Sequence, residues 1–349
     1  MGKGIRFFAM TVSAALLCAA GLAWATEAAD REPADDCPVS GLATADFEAL
    51  YRSDSADALL LGALLARSTF YNPCAAGEEG PAGEQAQPKQ EAACCPGGPV
   101  TTVYSAGDFA ARAFAVAPDN AAVLRYVVES CRPGDGVPRG ATCPDALEDR
   151  LLQVDPDNGL SWMLQGVAAY RAGHTGAALR ALARVVELDT FSSHFAEQAL
   201  GFADATATYL PDYATGSVAF AAGLAAGNLP RYQSMFEMCK AEAAGQAQWL
   251  STCLAVGQQM ETRGEDILSS AVGLELQREM YELVGAQDKK TEVAKRSQAL
   301  REPPLRAAEA GRLTDPYDDR AVRVFLEDAA KYGERQALLR LVKSGAAES

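Results

Sequence analysis

Apolar residues through the middle of this chain recur at spacings of three to four, between short runs rich in Gly, Pro, Asp and Asn. That is the period of a helix with one face buried, punctuated by turns. The clearest stretch runs from Asp155 to Asp189. Trp162, Gly166, Ala169 and Gly173 share one face of a first predicted helix. "RAGHTG" (Arg171 to Gly176) breaks the pattern with two glycines, and Ala178, Leu179, Leu182, Val185, Val186 and Leu188 resume it on a second helix. The small residues Gly166 and Ala178 let the two backbones approach closely. Asp155-Pro156-Asp157-Asn158 opens the pair with a stop, a residue suited to a helix start and side chains able to cap it.

Neighbouring segments repeat this plan more loosely. "APDN" (Ala117 to Asn120) precedes "DPDN" and is followed by two apolar helices around a Pro- and Gly-rich loop, Arg132 to Thr142. "DSADALLLGALLAR" (Asp54 to Arg67) echoes the helix after "DPDN", with Gly62 aligned to Gly166 and Arg67 to Arg171. Its partner is Gly107 to Ala117, beyond a Gly/Pro/Glu-rich insertion at 71–105 that reads as an exposed excursion. After Asp189 two helices flank Pro211. Longer ones are predicted over Pro230 to Ala244, Gln246 to Thr262 and Glu265 to Val284. The stretch around Pro303-Pro304 reads as basic and mobile. Asp318 to Gly345 reads as one amphipathic helix that caps the stack. No segment has a convincing strand pattern.

The Asp155 to Asp189 segment resembles a tetratricopeptide repeat, whose period is 34 residues. Trp162, Gly166, Gly173, Ala178 and Asp189 match that family's pattern. Gln165 stands where Leu is usual, Tyr170 is one place late, and Thr190 replaces a closing Pro. The match covers about a tenth of the chain. The resemblance implies an all-α, right-handed α-solenoid of stacked antiparallel helix hairpins over residues 45–227. A divergent helical region, 228–349, completes it. It also implies a non-enzymatic scaffold that binds a protein or peptide on its concave face, with envelope assembly or secretion as the setting.

Composition sharpens this picture. The chain has 349 residues and a formal net charge of −15, which argues against nucleic acid as a partner. Residues 1–25 read as a bacterial export signal: Lys3 and Arg6, an apolar run from Phe7, and Ala23-Trp24-Ala25 before Thr26. The rival readings are an uncleaved membrane anchor and a lipoprotein Cys18, the latter disfavoured by the bulky Leu17 before it. Residues 26–44 read as a polar, acidic lead-in. The expected location is the periplasm.

Beyond Cys18 there are eight cysteines, an even number that suits disulfides in an oxidising compartment. Cys131 and Cys143 flank one predicted hairpin turn symmetrically, and Cys239 and Cys253 another, so each pair is expected to bridge. Cys37, Cys74, Cys94 and Cys95 allow three connectivities. A metal site at Cys94-Cys95 lacks the usual spacing of ligands, and the chain has only two histidines.

Candidate chemistry is sparse. No nucleotide, zinc-protease or nucleophile-elbow motif is present, and no cofactor is expected. His174 falls in a turn. His194 falls on a predicted helix beside Ser192 and Ser193, and the alternative reading is an exported helical enzyme with a site hidden, for instance, at this trio. A third reading is a stress-related envelope protein without a fixed partner. Tyr104, Tyr126, Tyr170, Tyr209, Tyr213 and Tyr232 recur at helix ends. They suit either a peptide groove or the gaps between hairpins, and burial favours the gaps.

Overall fold

A computed structural model describes residues 44–68, 104–131, 147–211, 217–309 and 318–346. The export-signal reading, the lead-in up to residue 43, nearly all of the insertion, Tyr213 and six cysteines (Cys18, Cys37, Cys74, Cys94, Cys95 and Cys143) lie outside these residues.

The described residues form fifteen helices. In the first half these are α1 (Thr44–Arg52), α2 (Ala56–Ser68), α3 (Ala106–Val116), α4 (Ala121–Ser130), α5 (Leu147–Val154), α6 (Gly159–Arg171) and α7 (Thr175–Glu187). The second half contains α8 (Phe195–Tyr209), α9 (Ser217–Gly227), α10 (Gln233–Ala243), α11 (Ala247–Arg263), α12 (Ile267–Leu283), α13 (Gln287–Glu309), α14 (Asp319–Tyr332) and α15 (Glu334–Ala346). Extended pairing among the described residues is limited to two single-residue parallel bridges. The fold is all-α. Helices adjacent in sequence pack side by side, as in a stack of hairpins: α2 on α3, α6 on α7, α8 on α9, α11 on α12, α14 on α15. Three further contacts tie distant parts together: α2 with α8, α7 with α11, and α8 with α14. One continuous apolar core runs from Phe47 to Ala337.

The pair α6–α7 shows why small residues sit where they do. A Cβ at Gly166 would lie 3.4 Å from the Ala178 carbonyl oxygen and 3.5 Å from the Ala181 methyl. Gly173 turns the chain with φ +80°. The Trp162 indole donates to the Pro156 carbonyl at 2.7 Å, closing the turn before α6. Ala178, Ala181, Leu182 and Val185 form the buried stripe of α7, while Val186 faces outward. In the echoing pair the insertion separates α2 from α3, yet the two still pack, with Gly62 against the Phe109 ring.

Most tyrosines fill gaps between hairpins. Tyr126 and Tyr232 are buried. Tyr104 stacks on Tyr51 at 3.8 Å, and the Tyr170 ring meets Trp249 edge-on. Tyr209 accepts from Ser53 at 3.0 Å, linking the end of α8 to the turn between α1 and α2.

Cys239 on α10 and Cys253 on α11 form a disulfide with Cα atoms 5.9 Å apart, and both residues are fully buried. Cys131 is also disulfide-bonded.

Three expectations need correction. Pro303 and Pro304 do not interrupt a mobile stretch: they lie inside the 23-residue α13. Val293 and Leu300 of that helix are buried with Leu338 and Ile267, and this tertiary packing outweighs the local cost of proline. The C-terminal segment is two helices, broken at Gly333, where φ is +81° and α14 ends. His194 is not within a helix. It precedes α8 with φ 52°, the only non-glycine residue described that adopts a left-handed backbone.

Candidate functional site

The joints that precede α6, α8, α12 and α15 lie side by side and form a seam through the fold. Single-residue parallel bridges join Asn158 to Thr190 and Phe191 to Gly264. The Gly159 N–H donates to the Thr190 carbonyl (2.8 Å), Glu265 N–H to the Phe191 carbonyl (3.1 Å), and Glu334 N–H to the Glu265 carbonyl (2.7 Å). Helix N-termini carry partial positive charge and unpaired N–H groups. Here several converge, and the sequence supplies carboxylates and amides to meet them.

Asn158 is the hinge pin of the first joint and is 2% exposed. Its carbonyl oxygen accepts from the N–H groups of Leu160 and Ser192, both at 3.0 Å. Its amide donates to the Ser192 carbonyl and to Asp155 Oδ2, both at 2.9 Å. One side chain therefore caps α6 and also pairs with the backbone of Ser192 as a neighbouring strand would. Asp155 does not cap. It accepts from Ser161 Oγ at 2.7 Å and faces His194 Nε2 at 3.8 Å. Burial would raise the Asp155 carboxyl, but the facing His194 imidazole and hydrogen bonds from Ser161 and Asn158 outweigh it and hold the pKa below its ordinary value. The same carboxylate raises the His194 pKa against the effect of burial.

Asp266 serves the next joint. It caps α12 by accepting from the Ser269 N–H at 2.6 Å. Its other oxygen accepts from Ser193 Oγ (2.9 Å) and Ser269 Oγ (2.8 Å), and the Ser269 hydroxyl also pairs with the Tyr232 hydroxyl at 2.9 Å. Behind this cluster lies Arg125, 5% exposed, whose guanidinium donates to the Ser193 carbonyl. Burial lowers the Arg125 pKa, and Glu129, Tyr232, Asp266 and Asp155 around it act the other way. A buried charge is tolerable only when paired in this manner. Burial also raises the Tyr232 phenol well above its ordinary pKa, so it stays neutral.

A small cleft with a cavity volume of about 10 Å³ lies over the seam, lined by Ser192, Ser193, Glu197, Glu265, Asp266 and Glu334 among polar residues, with Phe195 and Ala329 beside them. That is room for about one water molecule and far below the ~300–1,000 Å³ typical of small-molecule sites. The Glu334 carboxyl accepts from the Ile267 N–H at 2.8 Å. Burial pushes its pKa up to about 7, Asp266 adds to this, and the Ile267 hydrogen bond opposes it.

The structure does bring the sequence-derived trio Ser192, Ser193 and His194 together, but not as a catalytic relay. Ser193 donates to Asp266, Ser192 Oγ accepts the His194 backbone N–H at 3.0 Å, and the imidazole faces Asp155 and Asn158. Among the described residues no hydrogen bond joins either serine hydroxyl to the imidazole. His174 is exposed at the start of α7 and makes no cap bond. Of the residues matched to the repeat pattern, Gly166 and Ala178 meet where α6 packs on α7, Gly173 turns the chain between these helices, and Trp162 bonds to Pro156 at the first joint. Sequence reasoning passed over Arg125, Asp266 and Glu334. The available signal for Arg125 was a lone charge inside the apolar run "AAVLRYVV"; for Asp266 it was an Asp directly before an apolar helix.

Among the described residues no group of three His, Cys, Asp or Glu side chains could hold a metal ion, and no helix is long and apolar enough to cross a membrane. Compared with known proteins, the chain matches no family model, no curated protein and no solved structure.

Proposed function

We propose that this chain is an exported, non-enzymatic scaffold that holds a protein or peptide partner on stacked, tetratricopeptide-like hairpins in the periplasm. The observation that carries this reading is how the seam spends its polar groups. Ser161, Ser192, Ser193, Asp155, Asp266 and Asn158 each bond to a neighbour within the fold, so the residues best suited to chemistry serve as joints. A nucleophile needs its base across a hydrogen bond, and neither serine has that arrangement with His194. The all-α stacking of hairpins, with a close α6–α7 approach at Gly166, gives the kind of framework on which repeat proteins present a surface.

The test pairs capture with direct binding. Affinity capture of the intact chain from its native compartment should recover a partner that then binds the purified protein in calorimetry. Ser193→Ala and His194→Ala should leave that affinity unchanged within about twofold, because the bonds of these groups are made within the fold. If either substitution abolishes the cellular role while binding and melting stay intact, the scaffold reading fails and an enzymatic one replaces it.

A further inference from the structure

The last joint of the seam also rests on a carboxyl group. Two polar bonds tie the start of α15 to the joint before α12: Glu334 N–H to the Glu265 carbonyl, and Ile267 N–H to the Glu334 carboxyl. The second comes from an ionisable side chain. The break at Gly333, with φ +81°, turns Glu334 into that position, and a Cβ at Gly333 would lie 3.2 Å from the Glu265 carbonyl oxygen. The surroundings of the carboxyl are acidic. Asp266 from the α12 end, Glu265 from the preceding joint and Glu197 from α8 line the same pocket, while α14 contributes only Ala329. From α13, Val293 and Leu300 pack on Leu338 of α15, and among the described side chains no charged group of that helix lines the pocket. On the hairpin itself, Lys331 and Arg340 are held over the Tyr332 ring, at 5.0 Å and 3.6 Å.

We propose that Glu334 is a proton-dependent latch on the C-terminal hairpin, closed at mildly acidic pH and loosened as the pH rises past neutral. A neutral carboxyl keeps its carbonyl oxygen as acceptor for the Ile267 N–H and sheds the repulsion from Asp266. An ionised one keeps the bond but brings a charge into an acidic, partly closed pocket. The direction follows from linkage. The folded pKa, about 7, lies above the ordinary glutamate value of 4.5, so the stabilisation is complete below 4.5 and is lost as the pH rises through about 7. The latch stands independently of the scaffold reading.

Hydrogen exchange of the purified full chain, corrected for intrinsic rates, tests it. Amides of α15 should lose protection by about tenfold or more between pH ~5.5 and ~8.5, while α6 and α7 hold theirs. Glu334→Gln keeps the carbonyl acceptor and cannot ionise, so its α15 should stay protected across the range. His194→Gln, which removes the other neutral-range titrating group of the seam, should leave the pH dependence of α15 in place. Flat protection in the unaltered chain would overturn the latch, as would a pH dependence that survives Glu334→Gln or disappears with His194→Gln.

Discussion

Replacing Asn158 with alanine probes the seam most directly, because one side chain there makes four hydrogen bonds. Loss of the cap on α6 costs about 1 kcal/mol, the usual figure for an N-cap Asn. Loss of the bonds to Ser192 leaves a buried N–H and a buried carbonyl unmet, at about 1–3 kcal/mol each. The bond to Asp155 adds less, since Ser161 still donates to that carboxylate. These contributions share atoms and do not add fully, so about 3–5 kcal/mol is expected. For a chain of this size that lowers Tm by roughly 6–12 °C. Asn120 is a built-in control. It caps α4 through a single bond to the Val123 N–H at 3.1 Å, in the matching "APDN" turn. Asn120→Ala should cost about 1 kcal/mol, the cap alone. Urea unfolding followed by circular dichroism reads both. Equal losses for the two variants would show that the pairing of Asn158 with Ser192 contributes nothing beyond a cap, and the seam would lose its energetic basis.

Three further expectations follow from particular contacts. A Cβ on Gly273 would lie 2.4 Å from the Gly257 carbonyl oxygen, so Gly273→Ala should push α12 off α11 and cost about 2–3 kcal/mol, while Gly245→Ala, with open space around it, should stay within about 0.5 kcal/mol in the same melts. Cys239→Ala with Cys253→Ala opens a 14-residue loop and should lower stability by about 3 kcal/mol in urea; insensitivity of the unaltered chain to a reductant under partly denaturing conditions would contradict this. The Asp155 and His194 pair should stabilise the fold over a bounded window. His194 contributes fully below its ordinary pKa of 6.5, and that contribution is lost as the pH rises through its raised folded value. Asp155 contributes above its ordinary 3.8, and its contribution is lost as the pH falls through its depressed folded value. Melting of His194→Gln against pH should show a shallower alkaline-side decline than the unaltered chain, the remainder being that of Glu334, and an NMR titration placing the imidazole at or below 6.5 would refute the pairing.

The hairpins were legible because they rest on local signals. The glycines of "RAGHTG", the stripe Ala178–Leu182–Val185 and the capping asparagines act within a few residues of themselves. Cysteines placed symmetrically about a turn carry the same kind of information, and Cys239 and Cys253 show it. The seam was not legible, because it is made by pairing across the fold. Nothing near Asn158 tells that it will meet Ser192, and nothing near Glu334 tells that it will meet Ile267. Proline misled for a related reason: Pro303 and Pro304 break a helix in isolation, but Val293 and Leu300 find partners on α15 and α12 that keep α13 going. His194 misled in the opposite direction. Its surroundings in sequence suit a helix, while its backbone is held left-handed at the mouth of the seam, where the neighbouring Ser192 hydroxyl accepts its N–H.

The cover that α14 lays on α8 bears on how this protein can be shortened. In an array whose units touch only their sequence neighbours, each cut exposes one new terminal face, and a polar cap placed there restores solubility. Here a cut after Leu283 would bare a helix in the middle of the chain and strip a hydrogen bond from the Glu265 carbonyl. Fragments ending there should aggregate even with a new cap at the cut, so a minimal version of this protein must keep its tail.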